Sequence, residues 1–138
     1  MSERMSDAQG GESRLGSARL TAFIATTDAP RSVAFYEKTL GLRVVSQDRF
    51  AIVFDANGTE LRIQKVESLV PHPFTSLGWQ VARLESVIRD LAARGVSFER
   101  YPGLPQDDLG VWSAPSGARI AWFKDPDGNL LSLAQYAR

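Results

Sequence analysis

The sequence predicts an α+β fold of two matched halves, each built as strand, helix and three further strands. Three observations carry this. Apolar alternations of period two flank helical stripes of period about 3.6. The helix and its stop recur at one spacing, Ser86-Val87 answering Ser32-Val33 and Gly95-Val96 answering Gly41-Leu42. A Pro-containing break at Glu67 to Thr75, with Pro71-His72-Pro73 inside it, separates the copies, because neither proline continues a central strand. Each half is too small to bury both faces of its sheet. A helix covers one face, and the other must close against a second half, leaving a cleft between curved sheets.

The elements follow in order. Residues 1–19 are rich in Ser, Gly and charge without periodicity, and are expected to be a disordered tail. Leu20, Ala22 and Ile24 alternate with Thr21, Phe23 and Ala25 as a largely buried strand. Asp28 is placed to cap a helix with Pro30 in its first turn; Val33, Tyr36 and Leu40 form its stripe, and Gly41 stops it. Strands are expected over Arg43–Gln47, Phe50–Asp55 and Thr59–Val66, the last two joined by an Asn57-Gly58 turn suited to positive φ. In the third of these, Leu61 and Ile63 alternate with Glu60, Arg62 and Gln64, so one face is apolar and the other carries functional groups.

The second half restarts with Leu77, Trp79 and Val81 alternating with Ser76, Gly78 and Gln80. Leu84, Val87, Ile88 and Leu91 make the next helical stripe, ending at Gly95. Val96–Tyr101, Val111–Ser113, Ala118–Lys124 and Leu130–Gln135 are read as strands, with Asp125-Pro126-Asp127-Gly128-Asn129 as a turn. The organisation is thus a tail over 1–19 and one domain over 20–136: a first module over 20–66, a linker over 67–75 and a second module over 76–136.

Composition narrows the chemistry. The 138 residues hold 43% hydrophobic side chains, enough for a core, and 16 basic against 16 acidic groups. A neutral total lacks the electrostatic footprint of a nucleic-acid or anionic-membrane binder. Absence of cysteine removes disulfides, thiolate nucleophiles and thiolate metal sites. A single histidine, His72, excludes any site needing two imidazoles from one chain. No apolar run approaches the ~20 residues needed to span a bilayer, and a cytoplasmic location is expected.

Three segments together carry a resemblance: Asp28 to Tyr36 with Leu40-Gly41-Leu42, Leu91 to Val96, and Phe123 to Asn129. In this order and spacing the chain resembles the vicinal oxygen chelate (VOC) superfamily of glyoxalase I, bleomycin-resistance proteins and extradiol dioxygenases. The resemblance implies paired βαβββ modules forming a cupped mixed sheet around a ligand site, often completed in a homodimer. It also implies, for metal-dependent members, one His, Glu or Gln ligand from the first and last strand of each module. On the alternation above, the matching positions are Thr21, Arg62, Ser76 and Ser132. None is a good donor and Arg62 is a fixed cation; only Glu60 or Gln64, two residues away on the same face, offers an alternative. No metal or other cofactor is expected.

Arg62 has two readings: a fork for a ligand carboxylate, phosphate or enolate, or an internal ion pair with Glu60 or another acid across the cleft. Gln80 and Gln64 stand beside it as orienting amides or polar rim residues. Trp112 is the better cavity-lining tryptophan, with Tyr101 and Phe50 as companions, whereas Trp79 is expected under a helix. His72 is a general-base candidate whose proline-flanked setting reads as a solvated loop; Asp107 and Asp108 read as a polar loop or lid. No triad spacing or phosphate loop is present. The function expected is small-molecule binding in the cup without a metal, the ligand being anionic or aromatic. Two alternatives stand: a VOC-fold lyase, isomerase or dioxygenase with a non-standard site, and a dimeric interaction module with a vestigial cup.

Overall fold

A computed structural model describes residues 14–137. After a 3-10 turn at Leu15–Ser17, the chain forms β1 (Thr21–Thr26) and α1 (Ala29–Val33), which runs on into a π-helical turn over Ala34–Thr39. Then come β2 (Arg43–Gln47), β3 (Ala51–Ala56), β4 (Thr59–Lys65), β5 (Leu77–Gln80), α2 (Leu84–Ala93), β6 (Trp112–Ser113), β7 (Arg119–Lys124) and β8 (Leu130–Gln135). Two four-stranded mixed sheets result, in the orders β1-β4-β3-β2 and β5-β8-β7-β6. In each, the first and last strands of the module pair in parallel and the others antiparallel. This is the paired βαβββ architecture that the alternations predict. Of the expected tail, residues 1–13 lie outside the described residues.

Local chemistry explains the boundaries. The Asp28 carboxyl accepts from the Arg31 amide at 3.2 Å, as an N-cap does. The matched helix stops, Gly41 and Gly95, sit at φ +82 and +97, where a side chain would strain the backbone. Asn57 and Gly58 turn the β3–β4 hairpin at φ 52 and 94.

Register then decides which face each side chain takes. Leu61 and Ile63 of β4 lie opposite Phe54 and Ile52 of β3 and beside Ala22 and Ile24 of β1, all facing α1. In the second sheet Leu131 and Leu133 lie beside Leu77 and Trp79 and opposite Phe123 and Ala121, so Trp79, partly buried, packs against the core. One apolar cluster runs through both modules and both helices.

Two strand expectations are corrected. Val96–Tyr101 forms no strand; its backbone meets β7 through a single bridge at Phe98–Phe123 and a bond from the Glu99 amide to the Trp122 carbonyl at 2.8 Å. The cause is Gln106. Its side-chain oxygen accepts from the Tyr101 amide at 2.8 Å, and its amide nitrogen donates to the carbonyls of Glu99 and Gly110 at 2.9 and 2.8 Å. Those are backbone groups a neighbouring strand would have paired. The β3 strand begins at Ala51 rather than Phe50, because Asp48 accepts from the Phe50 and Ala51 amides at 2.8 and 3.0 Å and holds Phe50 in the preceding turn.

The turn Asp125 to Asn129 does more than reverse the chain. Asp125, buried, accepts from the Tyr36 hydroxyl at 2.7 Å and from the Asn129 side chain at 2.9 Å. Burial first, then the charge of Asp125, pushes the Tyr36 hydroxyl well above the ordinary phenol range, so it remains a donor. Asp127 accepts from the Thr26 and Thr27 hydroxyls at 2.5 and 2.7 Å and from the Thr27 amide at 2.8 Å. Asn129 donates to the Ala25 carbonyl at 2.9 Å. The second module is thereby clasped to β1 and α1 of the first. Among the described residues no helix is long and apolar enough to cross a membrane.

Candidate functional site

The faces turned away from the helices carry the functional groups. On the first sheet, Thr21, Phe23 and Ala25 of β1 lie beside Glu60, Arg62 and Gln64 of β4. On the second, Gly78 and Gln80 of β5 lie beside Ser132 and Ala134 of β8, and Trp122 of β7 lies opposite Ser132. Ser76 continues the same face, its amide bonded to the Leu130 carbonyl at 2.8 Å. Thr21, Arg62, Ser76 and Ser132 thus all occupy open faces, as the alternation requires.

The second sheet presents an aromatic wall. Trp122 stands 6.2 Å from Trp112 and 5.6 Å from Tyr101, the latter edge to face, a geometry worth about 0.5–1.5 kcal/mol per pair. Burial, and secondarily the Glu99 charge, raises the Tyr101 hydroxyl above its usual range. Phe50 is not part of this wall: it is 64% exposed, with the Arg49 guanidinium 4.8 Å above its ring. On the first sheet Arg62 pairs with Glu60 at 3.2 Å, both side chains only partly covered. An exposed pair of this kind is worth about 0–1 kcal/mol and leaves the guanidinium free to exchange partners.

The linker crosses these faces. A cavity of about 250 Å³ opens between it and the first sheet, bordered by Phe23, Gln64, His72, Ser76 and Asn129. A second, about 430 Å³, lies on its other side against Tyr101, Lys124, Gly128 and Leu130. Pro71 and His72 border both. His72 is an exposed loop residue, as its proline-flanked setting predicts, its ring stacked on Phe74 with centroids 4.8 Å apart. Phe23 and Lys124, which the sequence reading does not single out, share the open faces with Trp122, a stacking candidate evenly balanced against core packing, as the parity of β1 and β7 requires. Gln80 shares the face but borders a different cavity, between the helices. Asp107 braces its own loop, accepting from the Leu109 and Val111 amides at 2.9 Å.

Gly128 seats the linker. It sits at φ +89, and a Cβ there would come within 3.2 Å of Pro71 Cγ. Gly128→Ala is therefore expected to cost about 1–2 kcal/mol from backbone strain and contact with Pro71, read as a fall of about 5 °C in thermal midpoint. An unchanged midpoint would show that linker and turn are not coupled.

The family model of the Glyoxalase/Bleomycin resistance protein/Dioxygenase superfamily matches residues 18–133. The chain belongs to this superfamily. Among curated proteins it is 25% identical over 121 residues to virulence protein STM3117 of Salmonella typhimurium, covering 82% of this chain and 80% of that one. Among solved structures, a superfamily member from Sphaerobacter thermophilus shares 22% identity with a TM-score of 0.68, covering 88% of this chain and 99% of that one. TnmS3, an antibiotic binding protein from a Streptomyces species, shares 20% identity with a TM-score of 0.65, covering 88% and 97%. These structural likenesses establish the fold.

A divalent ion does not fit the donors that this member of the superfamily brings to its cup. The four positions at which the resemblance implies ligands in metal-dependent members carry Thr21, Arg62, Ser76 and Ser132, and Glu60, on the same face, is engaged by Arg62. Among the described residues no three His, Asp, Glu or Cys side chains gather closely enough to hold an ion. Hydroxyls and a guanidinium do not replace imidazole and carboxylate donors for a transition metal.

Proposed function

We propose that this superfamily member binds a small planar anion in its cup without a metal or other cofactor. The observation that carries this is the division of labour between the open faces. The second sheet offers a wall of Tyr101, Trp122 and Trp112 for stacking, and the first offers Arg62 with Gln64 beside it as a partly covered, planar cation fork. Glu60 acts as a placeholder that a ligand carboxylate displaces. Thr21, Ser76 and Ser132 supply neutral hydrogen-bonding groups around it. Phe23 of β1 and Val70 and Phe74 of the linker are exposed by 56%, 90% and 59%; a second copy of the chain covering these side chains is the partner we propose. With no cysteine in the chain, we place it in the cytoplasm.

Arg62→Met is expected to weaken binding of an aromatic carboxylate probe such as 1-naphthoate at least about tenfold, the equivalent of one charged hydrogen bond, while the fold survives. Tryptophan quenching gives the affinity and circular dichroism the fold. Unchanged affinity would make Arg62 irrelevant, and an unfolded variant would make it structural. Stoichiometric divalent metal in protein purified without chelator would end the metal-free reading. One observation favours a second reading, an enzyme of the same fold: His72 borders both cavities, where an imidazole is placed for proton transfer.

A further inference from the structure

A different cavity lies between the end of the first helix, α2 and the second sheet. Its volume is about 290 Å³. Phe123 and Leu133 form the floor, both nearly inaccessible to solvent. Leu42, Trp79, Val87 and Leu91 are among its walls, and Thr39, Gln80, Asp90 and Arg94 form the rim. The rim charges are already matched. Arg94 Nε lies 3.3 Å from Asp90, and Arg94 also donates to the Lys38 carbonyl at 3.1 Å, tying α2 to the end of the first helix.

The backbone of one wall is unusual. From Ala34 to Thr39 the helix widens into a π turn, the Leu40 amide bonding to the Phe35 carbonyl at 2.9 Å and Leu42 to Tyr36 at 2.9 Å. Such turns are rare and concentrate at functional positions. This one delivers Thr39, Leu40, Gly41 and Leu42 to the cavity edge. At the equivalent point of the second module, α2 ends without a π turn at Ala93. The repeat is therefore broken where the cavity forms, although its glycine stops are retained.

We propose that this cavity is a second ligand site, outside the cup, for a neutral two-ring molecule bearing a single hydrogen-bonding group. Neutrality follows from the rim: Asp90 and Arg94 satisfy each other, so a charged ligand would have to break that pair without an apolar floor gaining anything from its charge. Size follows from volume. A cavity of ~150 Å³ lined by apolar side chains takes one benzene ring, and this one is about twice as large. The single polar group follows from Thr39, which brings a hydroxyl to the edge of this mostly apolar lining, the Gln80 side chain being turned to the cup face.

The test uses 2-naphthol as probe and the full chain, with isothermal titration for affinity and methyl NMR for location. The expected result is saturable binding with shifts concentrated on Val87, Leu91 and Leu42. Val87→Trp, which fills the cavity from α2, should weaken binding at least tenfold and leave 1-naphthoate binding unchanged. Leu42→Phe fills it from the other wall and should act the same way if Val87→Trp does not fold. Trp122→Ala, which strips the cup wall, should leave 2-naphthol binding intact. Absence of saturable binding overturns the proposal, as does binding that survives both filling variants or disappears with Trp122→Ala. Tighter binding of 1-naphthoate than of 2-naphthol at the Val87 site overturns the neutral class.

Discussion

Asp127→Ala is expected to destabilise the protein by about 2–3 kcal/mol and to lower the thermal midpoint by on the order of 10 °C. The carboxyl is the common acceptor for Thr26, Thr27 and Ser32, the last at 3.4 Å. Its loss leaves Thr26 and Ser32, at 1% and 0% exposure, with only each other and the Asp28 amide. Thr27 is exposed and finds water, which keeps the cost near one buried group's desolvation rather than three. Because these bonds join β1 and α1 to a turn of the second module, the loss also loosens the edge along which the modules meet.

The same residue sets an acid limb. Desolvation alone would raise the Asp127 carboxyl, but bonds from the Thr26 and Thr27 side chains, the Thr27 amide and Ser32 outweigh it and hold the group below its ordinary value. A carboxyl depressed in the folded state contributes stability above its unfolded value, about pH 4, and loses it as pH falls through the folded value. Denaturant midpoints measured downward from neutral pH should therefore fall in the wild type below about pH 4, and fall less steeply in Asp127→Asn. Asp48, lowered chiefly by the Phe50 and Ala51 amides, and Glu85, lowered chiefly by Arg119, titrate in both proteins, so the difference in slope isolates Asp127. Identical slopes would remove it as the acid-sensitive group.

Asp127 also illustrates what a linear pattern holds. Read locally, Asp125 to Asn129 is a turn, and it is one; that its carboxyls reach Tyr36, Thr26 and Thr27 is a long-range fact with no periodicity to announce it. Strand parity was legible wherever one face is buried. Leu61 and Ile63 against Glu60, Arg62 and Gln64 placed the whole open face of β4 correctly, because slipping one residue would exchange the two faces. Val96–Tyr101 misled for the opposite reason. Its apolar residues suit a strand, but one distant side chain, Gln106, takes its hydrogen bonds. The linker shows the same limit: its prolines rule out a strand, and only the structure brings Pro71 against Gly128 of a turn far along the chain.

Phe123→Ala is expected to have the larger effect on stability, about 3–5 kcal/mol, with the denaturant m-value unchanged. The ring is inaccessible to solvent and meets Phe98 at 5.5 Å and Phe35 at 6.4 Å, joining the β7 strand, the irregular loop after α2 and the helix of the first module. It is also floor of the cavity between the helices, so its removal adds to an existing void. The ladders on both sides of β7 prevent collapse into that void, which places the cost toward the upper part of the range. Phe123→Leu, which refills most of the volume, should recover more than half of it. A consequence for the cup follows, although Phe123 faces away from it. Phe98 anchors the segment that carries Tyr101, and Tyr101 leans edge-on against Trp122. Releasing Phe98 should therefore weaken 1-naphthoate binding several-fold in the folded fraction of Phe123→Ala, measured below its unfolding midpoint. Full affinity in that fraction would show that the three bonds of Gln106 hold the aromatic wall without help from the core.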